Sequence, residues 1–140
     1  MESDARLLMV ELMTFGRPAS REVPAPFSVS DHWHIRRGGN VVFAEALRLC
    51  GGPSDLLERA SIAGGAATSA LVLFVAPDAE YVVDRARLAL ADAKCEHGVS
   101  AWNGLLTARL LAAEPASAIA AVGSLAVALT ARPMPRVWSI

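Results

Sequence analysis

The run from Ala70 to Ala76, ALVLFVA, contains no polar residue and no alternation, so a strand built from it presents apolar side chains on both faces. Such a strand has to lie inside a layered structure, with one element packed above it and another below. The chain before it supplies strands. Leu7, Met9, Met13 and Phe15 fall on one face of a first strand, and Trp33 and Ile35 on one face of a second. The second runs into Arg37-Gly38-Gly39-Asn40, whose glycines permit positive φ, and on into Val41, Phe43, Leu47 and Leu49, which predicts a β-hairpin. Pro18, Pro24 and Pro26 predict an extended, irregular link between the first two strands.

Beyond the hairpin the period changes. Ser54 to Ala60 reads as a short helical turn that Gly64 and Gly65 end. After the apolar strand, Asp78 suits the N-cap of a helix reaching about Ala93, with Val82, Val83, Ala86, Ala89, Leu90 and Ala93 on one stripe and Glu80, Asp84, Arg87 and Lys94 on the other. Gly98 closes the turn after this helix, and Ser100 to Leu111 reads as one strand. Pro115 suits the first turn of a second helix to about Ala131, and Pro133 and Pro135 then lead to a short last strand, Arg136 to Trp138. The expectation is an α+β fold, mostly β-sheet, with a hairpin-rich N-terminal part and a β-α-β-α-β tail carrying two principal helices.

Of the 140 residues, 54% are hydrophobic and 19% charged, rich enough in apolar side chains that part of the surface is expected to be covered by a partner or by further sequence. A net charge of -1 offers no basic footprint for nucleic acid or an anionic membrane. The acidic start Met1-Glu2-Ser3-Asp4 has neither the basic residues nor the apolar run of a secretory signal, and the uncharged run from Pro115 to Ala131 is short of the roughly 20 strongly apolar residues of a spanning helix. A cytoplasmic location is the expectation, with Cys50 and Cys95 as plain thiols. GxxxxGK[ST], GxGxxG and GxSxG are all absent, and no catalytic set can be assembled from spacing.

Two acids stand in phase with the core. Glu11 lies between Met9 and Met13 and Glu45 between Phe43 and Leu47, so each points where an unpaired carboxylate costs several kcal/mol. An inward acid must be paired with a cation, line a wet passage or sit at an interface; Arg109, in phase with Leu105 and Leu111, is a candidate partner. His32 and His34 are two apart on one strand face, a spacing able to aim two imidazoles at one metal, although Arg36 shares that face. They define the alternative reading, a small α+β metal-dependent enzyme or ligand-binding domain. On the second helix Val122, Leu125 and Leu129 form an apolar stripe, a candidate partner contact or a surface buried by further sequence.

Five blocks carry a resemblance: FGRPAS at Phe15 to Ser20, EALRL at Glu45 to Leu49, VAPDAE at Val75 to Glu80, SAWNGLL at Ser100 to Leu106 and PRVW at Pro135 to Trp138. In that order they resemble the C-terminal half of the urease accessory protein UreD family, also called UreH, so residues 1–140 read as the C-terminal portion of a UreD-like domain whose N-terminal half has no counterpart here. The pattern departs after GRPAS, where the family commonly has a Gly-Glu pair and this chain has Arg21-Glu22-Val23-Pro24. The resemblance implies a non-enzymatic scaffold or metallochaperone for nickel insertion into apo-urease, contacting apo-urease and UreF, and UreG through UreF. It implies transient nickel and no tightly bound cofactor. UreD-like sequences tend to carry an acid at both Glu positions, so Glu11 and Glu45, with Arg109, become candidates for the lining of a metal passage.

Overall fold

The computed structural model describes residues 4–16, 26–52 and 57–138. The chain forms three layers around the strand that the apolar run supplies. β1 (Leu7–Thr14), β4 (Thr68–Val75), β6 (Leu105–Ala112) and β5 (Glu96–Trp102) make an antiparallel sheet in the order β1-β4-β6-β5. β2 (Phe27–Arg37) and β3 (Asn40–Gly51) pair as a separate antiparallel hairpin. Two helices, α1 (Val83–Ala89) and α2 (Pro115–Thr130), complete it.

β4 is sandwiched as its composition demands. Ala70, Val72 and Phe74 face the helices, where they meet Ala86, Leu90, Val122, Leu125 and Leu129; Leu71, Leu73 and Val75 face the hairpin, where they meet Ile35, Phe43 and Leu105. All six of those β4 residues are buried. β1 contributes Leu8, Val10 and Leu12 to the helix side and Leu7 and Met9 to the hairpin side. α2 begins at Pro115, whose missing N–H costs nothing in a first turn, and ends at Ala131 in a left-handed conformation with φ 55°.

The α+β class and the two principal helices are as expected, and the differences are local. Ser100 to Leu111 is not one strand. It is the hairpin β5–β6, turned at Asn103 (φ 50°) and Gly104 (φ 72°), the Asn-Gly pair that the twist of antiparallel strands favours. Gly98 accordingly lies inside β5. The first helix is a 3₁₀ turn, Ala79–Val82, followed by the short α1 and by i to i+3 bonds from Leu90, Ala91 and Ala93, so Lys94 and His97 lie beyond its last turn. Asp78 makes no capping bond; its Oδ2 accepts from Arg6 at 2.8 Å, which holds its carboxyl below the usual range. Glu80 is not on a solvated stripe, since its Oε1 accepts the Gly104 N–H at 2.8 Å. Arg136–Trp138 is a 3₁₀ turn and not a strand, so the tail runs β-α-β-β-α. Val41 is exposed because a bulge between Ile35 and Arg36 shifts the register and turns Val42 toward the core instead. Pro18, Pro24, Ser54 and the departure at Arg21 to Pro24 lie outside the described residues; Gly65 does close the 57–65 turn, donating to the Leu57 carbonyl at 2.8 Å.

Gly104 is required twice. Its φ is in the left-handed region, and a Cβ there would stand 2.7 Å from Arg37 Nη1 and 3.1 Å from the Ala76 carbonyl oxygen. The arginine can swing away, but the backbone oxygen cannot. Gly104→Ala is therefore expected to lower stability by about 1–3 kcal/mol, read by urea unfolding, whereas Gly98→Ala, with open space around it and no positive φ, should be close to neutral.

Candidate functional site

Three acids and one arginine, Glu11, Asp31, Glu45 and Arg109, gather between the hairpin and the four-stranded sheet. Register puts them there. Glu11 on β1 pairs with Leu71 on β4, Leu71 pairs with Arg109 on β6, and Arg109 pairs with Gly98 on β5, so the four stand in one row across the sheet. Above the row, Trp33 on β2 pairs with Glu45 on β3. Trp33 Nε1 donates to Glu11 Oε1 at 3.3 Å, and Arg109 donates from Nη1 and Nη2 to the two oxygens of Glu45 at 2.6 and 2.5 Å. The second contact is a bidentate fork, the geometry in which guanidinium and carboxylate match best. Together these contacts tie the hairpin to the sheet at its middle.

Beside them is a cleft of about 210 Å³, lined by Glu11, Asp31, Glu45 and Arg109 together with apolar residues such as Leu47 and Leu71. Its charge is unbalanced, with three carboxyl groups facing one guanidinium. Burial chiefly, then the Asp31 charge, pushes the Glu11 carboxyl above its ordinary range; the Trp33 hydrogen bond opposes that rise without cancelling it. The Glu45 hydrogen bonds raise Arg109 further and keep it a cation. The two inward acids thus differ in how they are accommodated: Glu45 has its cation, while Glu11 forms no ion pair among the described residues.

A carboxyl group whose folded value lies above its unfolded one contributes most below the unfolded value, and that contribution is lost as pH rises through the folded one. Wild-type stability is therefore expected to fall as pH is raised from the ordinary glutamate range toward neutrality. Glu11→Gln should flatten that part of the profile. Superimposable wild-type and Glu11→Gln profiles from urea titrations across this window would show that Glu11 carries no such load.

The other sequence candidates fall elsewhere. His32 and His34 are exposed on the outer face of β2, paired with Ala46 and Ala44, so no acid stands across from them. Among the described residues no three His, Cys, Asp or Glu side chains converge as a chelating site requires. Val122, Leu125 and Leu129 are buried at 0%, 0% and 4% exposure under this chain's own sheet, which corrects their expected role as partner contacts. On α2 the exposed large apolar residue is Val127. Burial raises the Cys95 thiol above its ordinary value, which makes it a poor nucleophile. Trp102 is exposed and Trp138 packs on the helix-side core. Asp31 is the cleft residue that the sequence reading missed, and its signal was present: it shares the alternation of Trp33 and Ile35.

No helix of the described residues is long and apolar enough to cross a membrane. The comparisons with known proteins agree with one another. The family model described as UreD urease accessory protein matches residues 1–139. Three curated proteins named urease accessory protein UreD are similar to the chain. That of Xanthobacter autotrophicus is 42% identical over 139 residues, covering 99% of this chain and 48% of the relative. That of Azorhizobium caulinodans is 40% identical, covering 98% and 51%, and that of Beijerinckia indica 47% identical, covering 82% and 43%. The chain spans about half the length of the curated relatives it matches.

Proposed function

This chain belongs to the UreD family of urease accessory proteins, and from that membership we propose that it serves in urease maturation as a non-enzymatic scaffold whose inter-sheet cleft passes nickel toward apo-urease. In this reading it works in the cytoplasm and contacts apo-urease on one side and UreF on the other, with UreG joining through UreF. Nickel is cargo and not a resident cofactor.

The observation that carries the reading is the cleft, where Glu11, Asp31 and Glu45 face one arginine between two packed layers. Carboxylates placed around one cleft in this way supply hard oxygen donors. Nickel is held most strongly by imidazole and thiolate, so oxygen donors favour contact that is quickly released. A carrier of cargo needs that quality, because a site that binds tightly ends the journey there.

The test is to express apo-urease with UreF, UreG and this chain in a host that lacks its own UreD, with the Xanthobacter relative as positive control. Urease purified from the strain carrying the chain is expected to contain nickel and hydrolyse urea above the strain without it. Metal-free, inactive urease beside verified soluble chain and a working control would refute the proposal for this chain.

A further inference from the structure

Arg109 belongs to two cavities at once. On one side it closes the cleft through its fork to Glu45. On the other it lines an outer trough of about 240 Å³ over the edge strand β5, together with Glu96, His97, Gly98 and Leu111. The residue directly opposite Arg109 on β5 is Gly98, and a Cβ placed there meets nothing within 4 Å. The trough therefore has room for a moving side chain beside the guanidinium. One step along the same face stands Glu96, paired with Leu111 and so diagonal to Arg109, at a separation of about 7–8 Å that an arginine spans easily. Glu96 is exposed and the Arg109 side chain is 57% exposed, so exchange between carboxylates crosses water and no apolar barrier.

We propose that Arg109 is a gate with two seats: on Glu45 it shuts the cleft, and on Glu96, through the gap left by Gly98, it opens the cleft to the outer trough. The proposal rests on the passage reading above for its purpose, although the gate itself does not need nickel to operate. With Arg109 on Glu45, one guanidinium occupies both oxygens that a cation would need. With Arg109 on Glu96, Glu45 joins Asp31 and Glu11 as a free carboxylate group facing the trough. Glu96 and Gly98 are positioning residues: they act through Arg109 and need not touch the cargo.

The experiment follows the Arg109 Nε–Hε signal by NMR relaxation dispersion in the metal-free full chain, with Arg109→Lys used for assignment. Wild type is expected to show exchange between two environments. Glu96→Ala, which removes the second seat at an exposed position and leaves the core alone, and Gly98→Val, which fills the gap, are each expected to abolish the exchange and leave the signal at its Glu45-paired position. Absence of exchange in wild type, or its persistence in Glu96→Ala, overturns the gate.

Equilibrium dialysis against nickel(II) is the second readout. Locking Arg109 shut is expected to weaken binding about tenfold, in proportion to the open fraction lost, whereas Arg109→Gln should strengthen it. Nickel affinity in Glu96→Ala equal to that of wild type also overturns the gate. If Glu11→Gln and Glu45→Gln both leave nickel binding unchanged, the passage reading fails instead, and the dispersion result still decides whether Arg109 moves.

Discussion

Leu125→Ala is expected to destabilise the chain by about 2–5 kcal/mol, a drop in melting temperature on the order of 10 °C for a domain of this size. Leu125 is fully buried in the cluster that α2 forms with β4 and β6, and α2 packs against β1, β4 and β6. Truncation leaves a void that neighbours fixed by three strands cannot fill. Val127, two residues along and 52% exposed, supplies the control, since Val127→Ser should stay within about 0.5 kcal/mol. The pair decides how the apolar circumference of α2 is divided. A Leu125→Ala protein that melts with wild type but loses a binding partner would make the inner stripe an interface after all.

Removing both cleft glutamates is expected to have the largest functional effect. Glu11→Gln with Glu45→Gln keeps side-chain volume, and at Glu45 it keeps one acceptor oxygen for Arg109, so the layers stay together. The cleft then holds one carboxyl group, Asp31, against one guanidinium. Nickel in urease matured with this double variant should fall roughly tenfold or more, the scale on which metal-orienting groups act, with soluble protein and thermal stability little changed. Full activation by the double variant would refute the proposal that the cleft passes nickel.

How far the site was legible follows from which physical signals are local. Period two is local, and it put Glu11, Glu45 and Arg109 on inward faces before any register was known. Their meeting is not local: it depends on β1 and β6 flanking β4 so that Glu11 and Arg109 share a row at Leu71. Asp31 obeyed the same alternation and was passed over because the strand was read from its aromatic and aliphatic members. The Asn103-Gly104 turn was hidden inside an apolar stretch, although positive φ at both residues is what such a pair serves best. For α1, propensity favoured a helix to Ala93, and tertiary demand won: β5 starts at Glu96 to pair with β6, which leaves only tightened turns between. The Val42 bulge could not be foreseen from residue type at all.

The position of β1 has a consequence for the order in which the molecule assembles. β2–β3 and β5–β6 are hairpins that close over two-residue turns and can form early. β1 instead joins β4 across a gap such as that between Thr14 and Thr68, 54 residues apart and with a complete hairpin inside the loop. Closing so long a loop carries an entropy cost that only the finished β4 surface returns. The arriving strand is also the one that brings Glu11. Until it docks, one edge of β4 is bare, a template on which another chain's strand can pair. Docking of β1 thus completes the cleft and moves the sheet's open edge from β4 to β1 itself, an event that pulsed hydrogen exchange at Leu8 and Val10 would time.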